Sequence, residues 1–284
     1  VFMTYILKNS SIAEYKKHLA LEEKSKSTIE KYMRDIQNFY AYLSEDKNID
    51  KEKVIHFKES LLENRAVSTA NSAIAALNGL FSFLGWDELK VKPFKQQRRI
   101  FRDREKELNK AEYLRLLNAA KQRNNQRLFY IMETLCATGI RISELQYITA
   151  EAVKKGICTV NCKGKIRTIL LPKKLIRSLE KYCKVNGIMT GAVFITRSGR
   201  PMERTNVWVE MKKLCKDAKV DSGKVFPHNF RHLFAVCFYN LEKDIAKLAD
   251  ILGHASIDTT RIYIMESIEE HARQIERLGL VISI

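Results

Sequence analysis

The sequence predicts a mainly α-helical protein of two domains: a bundle of four helices, then a mixed, mostly helical domain with one small β-hairpin. Three observations carry that prediction. Only 4 prolines and 11 glycines occur in 284 residues, too few for a turn-rich all-β fold and well suited to long helices. Apolar residues recur three and four positions apart along most of the chain. Between the two halves the composition breaks: Lys90, Lys92, Lys95, Arg98, Arg99, Arg102, Arg104 and Lys106 face only the acids Asp103 and Glu105, with Pro93 among them and no helical stripe. The expected division is a helical domain over 1–89, a basic linker over 90–107 and a larger domain over 108–284.

In the first domain, Ser11-Ile-Ala-Glu14 reads as a capping box opening a helix with Ile12, Tyr15 and Leu19 on one face. Ser27-Thr-Ile-Glu30 reads as a second box, followed by Ile29, Met33, Ile36, Tyr40 and Leu43 at helical spacing. Asp50 can cap a third helix that turns Val54, Phe57 and Leu61 inward. Ser68 or Thr69 opens a fourth with Ile74, Leu77, Phe81 and Leu84, and Gly85 stands where a helix end favours glycine. From Asn109 helices are predicted over 110–121, 125–137, 141–147, 173–185, 204–217, 228–241, 244–252 and 259–277. Ile157–Cys162 and Ile166–Leu171 read as strands around Lys163-Gly164-Lys165.

Charge narrows the function. Lysine and arginine exceed aspartate and glutamate by 17, a surplus that repels itself unless a polyanion is the partner. Nucleic acid fits best, and the basic linker is well placed to follow a phosphate backbone. No apolar run approaches the roughly 20 residues of a membrane span, and Val1 to Leu7 lacks the pattern of a signal peptide. A cytoplasmic protein without membrane contact is expected. The six cysteines include no C-x-x-C pair, and Cys158 and Cys162 sit about 13 Å apart if their segment is a strand, so neither a metal site nor a disulfide is expected.

Four patterns in the second domain carry chemistry. Ala137-Thr-Gly-Ile-Arg141-Ile-Ser-Glu144 puts an arginine after a glycine break, with a carboxylate one turn on to hold its guanidinium. The hairpin carries lysines at its tip. His228-Asn-Phe-Arg231-His232 places His228 and Arg231 on one helical face. Leu252-Gly-His254 is followed nine residues later by Tyr263. Arginine forks hold two non-bridging phosphate oxygens and offset transition-state charge. A phenol can attack phosphorus, and a lysine or histidine can protonate the departing sugar oxygen. Together these residues describe phosphoryl transfer that needs no metal or other cofactor. Any one pattern alone is as compatible with packing as with catalysis, and His232 reads equally as a packed helix residue.

The three boxes, in this order and with 23 residues from Arg231 to His254, resemble the tyrosine recombinases, also called phage integrases or Xer-type recombinases. Ser27-Thr28, Tyr32, Phe39 and Leu43 in the helical region are similar to that family's SAM-like core-binding domain. The resemblance implies a site-specific recombinase acting on double-stranded DNA, with two domains forming a C-shaped clamp and four protomers assembling on the recombining sites. Arg141 and Arg231 would clamp the scissile phosphate, and Tyr263 would attack it to give a 3′-phosphotyrosyl link and a free 5′-hydroxyl. Lys163 would protonate the 5′-oxygen, His228 would assist proton transfer from the tyrosine, and His254 would bond a non-bridging oxygen. Glu144 would orient Arg141. No metal or ATP would be needed, because the covalent link conserves the energy of the broken bond.

The hairpin departs from the family's usual Gly-Lys-Gly turn, which leaves Lys165 as an alternative to Lys163. The apolar tail Leu278-Gly-Leu-Val-Ile-Ser-Ile284 is expected to dock on a neighbouring protomer; folding back on its own domain is the alternative. Accessory proteins are possible partners. The short stretch before Ser11 holds no arm-binding domain, which leans toward a simple Xer-like system serving integration, excision or dimer resolution. Two rival readings are a type IB topoisomerase and an inactive relative that only binds DNA.

Overall fold

The computed structural model describes residues 5–95, 104–162, 165–263, 272–273 and 275–278. The chain divides into two compact units, Val1–Arg98 and Arg99–Ile284.

In the first unit four helices enclose an apolar core: α1 (Asn9–Leu21), α2 (Lys26–Tyr42), α3 (Lys51–Asn64) and α4 (Val67–Leu84). Of the predicted stripes, Ile12, Tyr15, Leu19, Ile36, Leu43, Val54, Phe57, Leu61, Ile74, Leu77 and Phe81 are buried, Ile29, Met33, Tyr40 and Leu84 are partly buried against the core, and Phe39, outside the predicted stripe, is fully buried. Asp50 caps α3 by accepting from the Lys53 amide at 2.8 Å, and Gly85 ends α4 in the left-handed region at φ +71°. Three predicted starts move toward the N-terminus. Helix α1 begins at Asn9 after Lys8 rather than at Ser11, and α2 is capped by Ser25, whose hydroxyl reaches the Thr28 amide first. Helix α4 begins at Val67, after Ala66, with no side-chain cap.

A two-stranded antiparallel pair, β1 (Tyr5–Ile6) and β2 (Asn48–Ile49), was not foreseen; it ties the chain's start to the loop before α3. Among the described residues α4 is long and apolar enough to cross a membrane by length and composition, though Ser, Thr and Asn interrupt it. Its apolar residues are the centre of this unit's core.

The second unit packs α5 (Lys110–Gln122), α6 (Gln126–Thr138), α7 (Ala150–Lys155), α8 (Lys173–Val185), α9 (Arg204–Ala218) and α10 (Pro227–Glu242) around a larger apolar core. The shorter α11 (Ile245–Leu252) and α12 (Ile257–Arg261) follow. Asn109 opens α5 with a full capping box, exchanging bonds with Glu112 at 2.8 and 2.9 Å.

The hairpin pairs β3 (Ile157–Cys162) with β4 (Lys165–Leu170), Cys162 opposite Lys165, one residue earlier than predicted for the second strand. Cys158, Val160 and Ile169 point into the core, as period-two alternation requires. One further prediction is corrected and one element was missed. Ile142–Tyr147 is a 3-10 turn rather than an α-helix, and α7 was missed. The predicted helix over 259–277 is helical at Ile257–Arg261 and again at residues 272–273 and 275–276; residues 264–271 and 274 lie outside the described set.

Candidate active site

The first part of the site is built by a glycine. Helix α6 ends where Gly139 takes φ +63°, a conformation that other residues adopt with strain. A Cβ there would also lie 2.4 Å from Cδ1 of Phe234, so position 139 excludes a side chain twice over. The sharp turn delivers Arg141 to the start of the 3-10 turn. Glu144, 2% exposed, holds it: its Oε2 accepts from the Arg141 amide at 2.7 Å and its Oε1 from Arg141 Nη1 at 3.0 Å. Arg141 Nη2 bonds the Gly253 carbonyl at 3.4 Å, and the side chain stays 42% exposed, open to an anion.

The second part comes from α10, where Pro227 fills the first turn without losing a needed N–H. Arg231 is 2% exposed, and protein holds its guanidinium at three points: Nη1 donates to the Gly139 carbonyl at 2.7 Å, and Nη2 to the Leu252 carbonyl and to His254 Nε2, both at 2.8 Å. Burial, with the charge of Arg141 added, lowers its pKa to about 10; the Tyr263 phenol works in the opposite direction.

The third part is the turn after α11, where Gly253 takes φ +63°. His254 Nδ1 lies 2.8 Å from the Thr260 hydroxyl. Because a guanidinium only donates, Nε2 must be the acceptor toward Arg231, and the ring proton sits on Nδ1. Burial, then Arg231, Arg141, Arg167 and His228, push the imidazole down to about 4, so His254 is neutral near pH 7.

Tyr263 is 2% exposed. Its ring stacks on His254 at 5.9 Å, meets His232 edge-on at 5.0 Å and lies 6.4 Å from His228. His228 reaches the surface, yet protein on its other sides, followed by the charges of Arg231, Arg141 and Arg204, lowers its pKa too. His232 Nε2 lies 3.3 Å from a Glu107 carboxylate oxygen, so it is neither a bare packing residue nor a free base.

The structure therefore brings together Arg141, Glu144, His228, Arg231, His254 and Tyr263. Lys163 lies outside the described residues, as do Arg98, Arg99 and Arg102 of the linker; Lys165 and Arg104 are described in backbone only. Lys90 pairs with Asp87, while Lys92 and Lys95 are exposed.

Sequence reasoning missed three partners: Thr260, which fixes the His254 tautomer, Glu107, and Arg167, which bonds Glu144. Arg167 carried a usable signal, since alternation along β4 places it on the same inward face as Ile169. Among the described residues no three His, Cys, Asp or Glu side chains converge as metal ligands.

The Phage integrase family matches residues 106–270, and the "Phage integrase, N-terminal SAM-like domain" family matches residues 12–88. The chain is 30% identical over 265 residues to tyrosine recombinase XerD of Halalkalibacterium halodurans, covering 84% of this chain and 87% of that one. It is 28% identical over 284 residues to tyrosine recombinase XerA of Pyrococcus furiosus, covering 97% and 96%. Among solved structures, a lambda integrase dimer bound to a COC′ core site superposes with a TM-score of 0.73 at 19% identity, over 92% of this chain and 77% of that one. XerH bound to its difH substrate gives 0.68 at 19% identity, over 95% and 84%.

Proposed function

The chain belongs to the phage integrase family of tyrosine recombinases, and from that premise we infer a site-specific DNA recombinase whose chemistry runs through Tyr263. The observation that carries the assignment of residues is the convergence of His228, Arg231 and His254 on the Tyr263 ring, with Arg141 held beside them by Glu144.

In this reading the exposed fork of Arg141 and the buried one of Arg231 hold the two non-bridging oxygens of the scissile phosphate. The phenolate oxygen of Tyr263 attacks phosphorus, the bond to the 5′-oxygen breaks, and a 3′-phosphotyrosyl ester and a free 5′-hydroxyl result. His228, held neutral, takes the phenolic proton, and Lys163, or Lys165 in its place, protonates the leaving oxygen. A new 5′-hydroxyl reverses the step on another strand. Water must be kept from the ester while the covalent link exists.

His254 needs one adjustment. Its Nε2 accepts from Arg231 here, so bonding a phosphate oxygen requires a second proton or a change of tautomer. A bound phosphate supplies the negative charge that favours the second proton.

The linker cations Lys90, Lys92, Lys95, Arg98, Arg99, Arg102 and Arg104 would track the DNA backbone. The tail beyond Leu278 would join protomers into a tetramer on DNA. Removing residues 278–284 is expected to leave cleavage of a single duplex intact and to abolish the tetramer on a gel.

The test uses nicked duplexes carrying randomised sequence. Wild type is expected to retain DNA under denaturing conditions, and sequencing the captured strands reads the target. Tyr263→Phe should capture none. Capture that persists in this variant removes the nucleophile assignment, and capture with no sequence preference, together with relaxation of supercoils, favours the topoisomerase reading.

A further inference from the structure

Arg167 stands on the inward face of β4 opposite Val160, with its side chain 14% exposed. A buried guanidinium in a strand is costly unless its donors are met, and an apolar residue of similar size would serve packing as well. Its donors are spent in one direction. Nη2 bonds Glu144 Oε2 and Nη1 donates to the Ile251 carbonyl at 3.0 Å, while Nε is buried without a partner. The turn after α11 is shaped to admit it: a Cβ on Gly253 would lie 2.5 Å from Arg167 Cδ and 3.0 Å from its Nη1.

These contacts close a ring. Glu144 gives one oxygen to the Arg141 guanidinium and the other to the Arg141 amide and to Arg167. Arg167 holds the Ile251 carbonyl, and two residues later the Gly253 carbonyl returns to Arg141. His254 follows directly.

We propose that Arg167 is a positioning residue for the scissile phosphate: through Glu144 and the Ile251–Gly253 turn it fixes the fork of Arg141 and the ring of His254. The proposal rests on the recombinase reading above. Without Arg167, Glu144 Oε2 keeps only the Arg141 amide; the carboxylate can then rotate, the Arg141 fork shifts off the phosphate, and the turn that carries His254 loses its hold at the Ile251 carbonyl.

The test compares wild type with Arg167→Met, which keeps an apolar inward side chain, and Arg167→Lys. Each meets three nicked duplexes: an ordinary phosphate, a scissile methylphosphonate and a 5′-bridging phosphorothiolate. On the ordinary phosphate, adduct formation by Arg167→Met, measured well below its melting temperature, should fall by about 100-fold, the scale of a misplaced reacting group, with binding of the duplex little changed; the melting temperature should fall as Glu144 and the Ile251 carbonyl lose a donor. Added guanidinium ion should restore part of the rate.

The defect should shrink on the methylphosphonate, which lacks one anionic oxygen for the arginines to hold. It should persist on the phosphorothiolate, whose thiolate leaves without a proton. The reverse pattern assigns Arg167 to leaving-group protonation through the hairpin and overturns the proposal. So does an equal defect on all three substrates, which marks a structural role. Wild type forming a Tyr263-dependent adduct that Arg167→Met matches overturns this proposal alone; wild type forming none overturns the reading beneath it.

Discussion

The two units are built from the same kind of helix and treat charge in opposite ways. In the first unit Asp35 is the buried charged side chain among the described residues, and Lys31 and Arg65 meet it at the rim at 3.1 and 3.4 Å. In the second, Glu144, Arg231 and His232 are buried beside a buried Tyr263: Glu144 holds Arg141 and Arg167, Arg231 bonds two main-chain carbonyls and His254, and His232 meets Glu107. Burying a guanidinium costs several kcal/mol before its bonds are counted. The first unit is a packing solution; the second gives up stability along one edge to hold a charge constellation ready for phosphate.

The largest expected effect falls on that edge. Arg231→Lys keeps a cation but loses the fork that spans the Gly139 and Leu252 carbonyls. Adduct formation should drop by roughly 10²- to 10³-fold, the cost of removing a preorganised donor to developing charge. Stability should fall by about 1–3 kcal/mol as buried carbonyls lose their donors. Arg65→Lys in the first unit, at the rim-exposed pair, should change stability by less than about 1 kcal/mol and leave chemistry alone. Equal effects at the two positions would erase the contrast.

Phe39→Ala probes the opposite side. Phe39 is fully buried and packs edge-on against Phe57 and Phe81. Its truncation should cost about 3–5 kcal/mol, read by hydrogen exchange as opening confined to residues of the first unit. Opening of the second unit by the same amount would show that the two are one cooperative body.

Acid should separate the units next. His254 binds a proton in the unfolded chain near pH 6.5 and in the folded one only at about 4. Between these values the unfolded state holds more protons, so stability is complete above about 6.5 and is lost as pH falls toward 4. His228 is shifted in the same direction and adds to the slope. His254→Gln should flatten the loss of stability of the second unit over this window without altering that of the first. An unchanged slope would mean that His254 is not held neutral. DNA binding should also take up a proton near pH 6, measurable as a buffer-dependent heat, if phosphate converts His254 from acceptor to donor.

The contrast also explains what could be read from sequence. Packing periodicity is a property of single helices, so Ile36, Phe57 and Leu77 were legible from spacing. Catalytic positions announced themselves by residue type in order, and Arg141, His228, Arg231, His254 and Tyr263 do converge. Their supporting partners did not, because each joins segments distant in the chain: Arg167 reaches Glu144 from another element, and Glu107 meets His232 across 125 positions. Helix starts at Ser11 and Ser27 failed for a local reason. At α2 both Ser25 and Ser27 carry a hydroxyl, and only Ser25, which precedes the first turn, can serve as the cap; α1 starts at Asn9 after Lys8 with no side-chain cap, so no capping residue marks its start in the sequence.

The smallest effect concerns the point where the first unit lets go of the chain. Asn78 donates to the Val91 carbonyl at 2.9 Å and accepts from its amide at 3.0 Å; Asn71 does the same at Phe94, at 3.0 and 2.8 Å. Seven residues of helix rise about 10.5 Å, and three residues of extended chain span about 10 Å. Two asparagines on one face of α4 therefore match the register of an extended segment and pair with it as a neighbouring strand would. The predicted linker is consequently anchored through Phe94, with Lys92 left exposed between the two clasps. Asn78→Ala should cost about 1–2 kcal/mol for two lost amide bonds. It should raise exchange at the Val91 amide while the amide of Phe94, held independently by Asn71, keeps its protection. Loss at both amides together would make the clasps one cooperative latch, and the first unit would then share with the second a device in which a few polar side chains govern a whole segment.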